Sequence, residues 1–180
     1  YDRHECVTTL IAKTLPVTAS IAVGAFTLWI LIGVGLGTLA ALKRGKWQDR
    51  VATGFSVIGV SFPTFFLGLI SIMVFVIWTG LLPFPQYSGI TENPWKWMTS
   101  LILPWFVLAI VSAASYVRMT RNGILEVMNE EFVRLGLAKG LKRKTLIVKY
   151  VMRAALVPIV TIAGLDFAFL LGGALVTESI

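Results

Sequence analysis

Charge is missing from four long stretches of the chain. Residues 14–42 hold 29 positions without Asp, Glu, Lys or Arg, residues 51–91 hold 41, and residues 97–117 hold 21. Residues 154–177 hold 24 positions with one charge, Asp166. A helix crossing the hydrocarbon core needs about 20 apolar residues. The pattern therefore predicts four spans, at about 17–42, 53–82, 101–120 and 156–177. The second run holds a span plus an exit loop, because Leu82-Pro83-Phe84-Pro85 cannot continue a helix. Period-2 alternation is absent, so membrane strands are not expected. A secretory leader is not expected either, since the first apolar run follows a polar stretch and is too long. The fold class is all-α, a polytopic transmembrane helical bundle.

Composition agrees with the pattern. The chain has 180 residues, 57% of them hydrophobic and 14% charged, and a mean hydropathy of +0.83. Soluble domains run at about 45–50% apolar and about 25% charged, so a water-soluble domain and a disordered chain are both excluded. The net charge of +7 could suggest nucleic acid, but its placement argues otherwise. Thirteen of the 16 Lys and Arg lie in two segments, Lys43 to Arg50 and Arg118 to Arg153, which together carry +9 while the rest sums to −2. The positive-inside rule assigns both segments to the cytoplasm. Residues 1–16, 83–100 and the C-terminus then lie outside. Nucleic acid is not an expected partner; membrane lipid is.

Within the spans, small and polar residues stand out. Gly33 and Gly37 are four apart on one helix face and allow close approach of another helix. They are not a dinucleotide fingerprint, because no strand precedes them. Pro63, in Ser61-Phe62-Pro63-Thr64-Phe65, predicts a kink in the second span. Such features suit helices that rock against each other and suit static packing equally. Asp166 is the one ionisable residue inside a span, and such residues usually face a bundle interior or a wet cavity. It either lines a pathway or makes a structural hydrogen bond or ion pair. The 82–100 loop, with Tyr87, Trp95 and Trp97, reads as an interfacial hairpin or a substrate-contacting loop. Cys6 cannot form an internal disulfide, and His4 is the only histidine.

The long basic segment, about 121–153, has internal order. Ile124, Leu125, Met128, Phe132 and Leu135 recur at helical spacing and predict an amphipathic helix packed on something apolar. Gly140 ends it, and a second helical pattern follows through Ile147, Tyr150, Val151 and Leu156.

The stretch Glu131-Phe132-Val133-Arg134-Leu135-Gly136-Leu137-Ala138-Lys139-Gly140-Leu141, then Arg153-Ala154-Ala155-Leu156-Val157-Pro158-Ile159-Val160-Thr161, resembles the signature of binding-protein-dependent ABC importer permeases. It is most similar to the first permease subunit of dipeptide and oligopeptide systems. Leu15-Pro16-Val17-Thr18, the Lys43–Arg50 segment, Ser61 to Phe65 and Leu171 to Glu178 also match, in order along nearly the whole chain. Leu135, Gly136 and Leu137 depart from the Thr, Ala and Arg usual there.

The resemblance implies a type I ABC importer permease (MetI-like) fold with four of about six spans present, the chain being a fragment. It implies a multi-pass protein of the bacterial or archaeal cytoplasmic membrane. The implied partners are a second permease subunit, two ATP-binding cassette ATPase subunits and an extracytoplasmic substrate-binding protein. It places an ATPase-coupling helix at Arg134, Leu135, Gly136, Leu137, Ala138, Lys139, Gly140 and Leu141. The glycines would permit a tight turn, the leucines would fill an apolar ATPase groove, and Arg134 and Lys139 would rim it. No cofactor and no catalysis are expected of this subunit, which lacks a G-x-x-x-x-G-K-[ST] phosphate loop. An intramembrane enzyme is disfavoured: H-E-x-x-H and G-x-S-x-G are absent, and Asp166 has no second intramembrane carboxylate. The alternative transport reading is an ion-coupled carrier using Asp166.

Overall fold

The computed structural model describes the backbone of residues 7–82 and 93–177, with side chains over 15–82 and 93–171. Cys6, His4, Tyr87 and Glu178 lie outside the described residues. The described residues are helical and include no strand. In chain order they form α1 (Val7–Leu42), α2 (Trp47–Ser61), α3 (Thr64–Ile72, continued by a π-helical stretch, Met73–Trp78), α4 (Pro94–Val127), α5 (Glu131–Ala138), α6 (Arg143–Leu146, continued by a π-helical stretch, Ile147–Val151) and α7 (Met152–Thr177). Among the described residues three helices are long and apolar enough to cross a membrane, or four if the broken pair α2 and α3 counts as one span.

Three expected boundaries move. The second span is not kinked at Pro63 but interrupted. Phe62 (φ −97°, ψ 131°) and Pro63 (φ −61°, ψ 138°) are both extended. Pro63 disfavours helical backbone at the residue before it, and its carbonyl then starts α3 by accepting from the Phe66 and Leu67 amides. Pro16, Pro104 and Pro158, by contrast, sit inside intact helices. The helix of the third expected span, α4, starts at Pro94, so Trp95 and Trp97 belong to its first turn and not to a loop. Asn93 sets that start: its side-chain oxygen accepts from the Trp95 and Lys96 amides at 3.1 and 3.2 Å, with Pro94 at the first helical position. The last span is the end of a helical stretch that begins at Arg143, not near 156.

The chain divides into two compact units. One comprises Tyr1–Leu28, Pro63–Ala109 and Leu165–Ile180. Its organising side chain is Trp105, whose indole N–H donates to the Ser20 carbonyl at 2.9 Å. A Cβ at Gly24 would overlap that indole. Trp97 meets Trp105 edge-on at 5.6 Å between ring centres, and Phe26 contacts Phe167 at 4.8 Å.

The other unit comprises Trp29–Phe62 and Ile110–Gly164. Here α1 and α4 touch through glycine. A Cβ on Gly33 would stand 2.5 Å from the Tyr116 Cβ, and one on Gly37 would stand 2.6 Å from the Thr120 Cβ. Gly59 of α2 approaches Ala114 in the same way. One small core joins Ala40, Ala52 and Val117. A second joins Ala41, Ile124, Val133, Leu146, Val151 and Ala155. Running into α7, the buried positions Val151, Ala155 and Ile159 recur every four residues, the spacing of one helix face. Leu31, Leu36 and Leu39 of α1 and Val157 and Val160 of α7 point outward, as apolar side chains facing hydrocarbon do.

Candidate functional site: the basic helical hairpin

The expected single amphipathic helix through Ile124 and Leu135 is two helices. α4 ends at Val127, and the chain turns over Met128, Asn129 and Glu130. The Asn129 and Glu130 amides bond back to Glu126 and Val127, three residues earlier, at 3.0 and 3.2 Å. The Asn129 side chain donates to the Leu125 carbonyl at 3.0 Å. An Asn that bonds nearby backbone competes with helix continuation. Glu130 is extended (φ −65°, ψ 150°), and α5 starts after it with Glu131 in its first turn, where a carboxylate suits the helix dipole.

α5 ends at a Schellman cap. Gly140 has φ +82°, its amide bonds the Leu137 carbonyl at 3.0 Å, and the Leu141 amide bonds the Gly136 carbonyl at 3.1 Å. This pairing of bonds around a left-handed residue satisfies the orphan carbonyls of the last turn. Gly136 has a different task from Gly140. It lies inside α5 and is buried, and a Cβ there would come within 2.6 Å of a Leu146 methyl. It supplies close packing rather than the turn. Val133 and Gly136, three apart, are the inward face of α5. Val133 joins Leu146, Val151 and Ile124 in the core beneath.

The outward side is apolar as well. Leu135 is 59% exposed, Leu137 49%, Phe132 42% and Leu141 39%. At 100° per residue Leu135 and Leu137 do not share a face. Phe132 and Leu135 form one edge and Leu137 the other, with Leu141 following just past the cap at Gly140. The arrangement is a short ridge with two apolar edges, not a flat patch. Arg134, Ala138 and Lys139 are exposed around it. Helical spacing alone puts Phe132 on the packed face; the helix break after α4 turns it outward. Val133 falls outside the apolar stripe of the sequence, although its spacing to Gly136 marks a tight inward face.

A charged brace supports the base of this hairpin. Arg121, near the end of α4, donates from Nε to Asp49 Oδ1 at 2.5 Å and from Nη2 to Oδ2 at 3.0 Å. The Gly45 amide also donates to Oδ2 at 2.9 Å. Asp49 is 5% exposed. The Arg121 hydrogen bond outweighs the opposing effect of burial and holds its carboxyl down at about 2; the same bond pushes Arg121 up. The signal in the sequence is the lone acid in a run of four cations.

The remaining expected residues do not gather at the hairpin. Gly33 and Gly37 mark the α1–α4 contact, and Pro63 marks the α2–α3 break. Asp166 is half-buried on α7 and engaged in a polar interaction.

Residues 33–180 match the family described as binding-protein-dependent transport system inner membrane component. The chain is 36% identical over 174 residues to a protein named a peptide transport system permease from Brucella abortus, covering 97% of this chain and 55% of that protein. It is 33% identical over 178 residues to the oligopeptide transport system permease OppB of Haemophilus influenzae, covering 99% and 56%. It is 36% identical over 151 residues to the glutathione transport system permease GsiC of Escherichia coli K12, covering 84% and 47%. The chain thus spans about half the length of the curated relatives it matches.

Proposed function

The chain belongs to the family of binding-protein-dependent transport system inner membrane components, and on that premise we propose that its protein is the membrane-spanning permease subunit of an ATP-driven peptide importer. An extracytoplasmic binding protein delivers the peptide, a second permease completes the pathway, and two ATPase subunits dock on the basic side. Relatives named for peptides, oligopeptides and glutathione support a peptide-like substrate.

The observation that carries this reading is the α5 ridge. Four large apolar side chains stand exposed on an eight-residue helix and its cap, pinned by Val133, Gly136 and the Schellman bonds. A loop that only oriented the protein would need its cations, not this apolar ridge. Apolar anchors rimmed by charge suit a groove on a partner, and a ridge with two edges suits a groove better than a flat face. Rigidly mounted, the ridge transmits closure of the ATPases to α4 and α7, between which it sits in the chain. The helices then alternate between outward and inward openings, as in other rigid-body transporters.

The test uses the full-length permease with its partner subunits in proteoliposomes. Peptide uptake should require ATP and the ATPases. Leu135→Asp and Leu137→Asp should each cut ATPase co-purification about tenfold or more, the effect of losing one interface anchor, while membrane insertion persists. Uptake that continues without ATPase and follows the proton gradient would overturn the proposal in favour of an ion-coupled carrier.

A further inference from the structure

A second feature at the basic end lies apart from the α5 ridge. A cavity of about 250 Å³ opens between the end of α1, the turn after α4 and the start of α6. Arg44 and Arg143 line it, with Asn129 beside them and Leu42, Leu125 and Met128 as apolar wall. No Asp or Glu lines it. Among the described residues neither arginine forms an ion pair: the nearby Asp49 carboxylate is bonded by Arg121 and the Gly45 amide. Arginines from two separate segments therefore line one space: Arg44 feels the Asp49 charge without bonding to it, and no acid stands in the cavity wall.

We propose that this cavity seats the phosphate of an anionic phospholipid in the cytoplasmic leaflet. Leu39 and Leu42, at the end of α1, are 42% and 47% exposed, as lipid-facing side chains are, and Arg44 follows two residues later. The cavity thus begins where the hydrocarbon-facing surface stops, at the level of headgroups. The cation distribution assigns this end to the cytoplasm, where the leaflet is anionic and basic pockets between spans take headgroups. The lining fits a phosphate as well as the depth does. Guanidinium is the side chain suited to two-pronged hydrogen bonding of phosphate, and the leucines and methionine fit the carbons beside it. A liquid water occupies about 30 Å³, so the space admits a phosphate with part of its glycerol. No α5 residue lines the cavity, so the ridge assigned to the ATPase leaves it open to lipid.

The test is native mass spectrometry of the full-length permease assembled with its partner subunits, exchanged into micelles containing phosphatidylglycerol or phosphatidylcholine. Phosphatidylglycerol should be retained about tenfold better. Arg44→Gln combined with Arg143→Gln should abolish that preference. Arg50→Gln, in the same basic segment but outside the cavity, should leave it intact. Should the double variant fail to assemble, Arg143→Gln alone should still reduce the preference. Equal retention of the two lipids overturns the proposal, as does equal loss in Arg50→Gln, which would mean diffuse surface attraction. Displacement by millimolar inorganic phosphate reassigns the cavity to a free anion. Loss of ATPase subunits from the double variant, with lipid retention unchanged, reassigns it to a protein contact.

Discussion

At the scale of single residues, two buried glycines answer the same question differently. A Cβ on Gly37 would meet the Thr120 Cβ at 2.6 Å and the Val117 carbonyl oxygen at 2.8 Å. Neither atom can yield unless α1 and α4 separate. A Cβ on Gly136 would meet only the methyl end of Leu146 at 2.6 Å, with Leu141 at 3.5 Å. Gly37→Ala should therefore destabilise the full-length protein by about 1–3 kcal/mol, the usual cost of overpacking. Gly136→Ala should stay within about 1 kcal/mol of wild type, because the gain in helix propensity offsets a rotamer change. Thermal unfolding in detergent measures both, and equal losses would refute the distinction. Asp49 supplies a second residue-scale prediction. Its folded carboxyl is depressed from 3.8 to about 2, so the charged form is favoured by folding. The stabilisation is fully present above about pH 4 and lost as pH falls through about 2. It amounts to about 2 kcal/mol at neutral pH, since each tenfold loss of proton affinity is worth about 1.4 kcal/mol. Asp49→Asn should lower stability by about that much at pH 7. The gap to wild type should close between pH 4 and pH 2. A gap that stays constant across this window would count against the Arg121 brace.

At the scale of elements, legibility depends on whether a boundary is made by pattern or by local hydrogen bonding. The apolar stretches are readable because membrane crossing demands an unbroken run, and α1, α4 and α7 carry them. The Gly140 stop is readable because a left-handed cap favours glycine. What the pattern hides is the break between α4 and α5. Ile124, Leu125, Met128, Phe132 and Leu135 keep helical spacing straight through it, yet the Asn129 side chain and the extended Glu130 interrupt the helix. The same blindness predicts a kink at Pro63 where the fold has a break, because the extended backbone of Pro63 itself is not written in residue type. The Asp49–Arg121 pair is hidden by distance, its partners being 72 positions apart. The cap at Gly140 gives the element-scale prediction. Forcing an L side chain to φ +82° costs about 1–2 kcal/mol, and proline cannot adopt it at all. If α5 docks an ATPase as proposed, Gly140→Ala should weaken ATPase co-purification and Gly140→Pro abolish it, with insertion unaffected in both. Normal co-purification of the proline variant would detach the cap from the proposed coupling role.

At the scale of the whole molecule, the net charge of +7 is a statement about topology. The two basic segments carry +9 and the remainder −2, and Lys and Arg near span ends set orientation. The fold adds that these cations cluster at one set of helix ends: Lys43 to Arg50 joins α1 to α2, and Arg118 to Arg153 runs from the end of α4 through α5 to the start of α7. The two segments are held together within one compact unit by the Asp49–Arg121 pair. Because that pair spans both segments, they must lie on the same side of the membrane, whichever side it is. Single-cysteine variants of the full-length protein, with Cys6 and any further native cysteine replaced by Ser, test both statements. Lys46→Cys and Lys142→Cys should resist a membrane-impermeant maleimide in intact cells and react once the membrane is permeabilised. Ser88→Cys should react in intact cells. Labelling of Lys46→Cys and Lys142→Cys on opposite sides would contradict the fold, whereas labelling of both from outside would leave the fold standing and invert the orientation read from the cations.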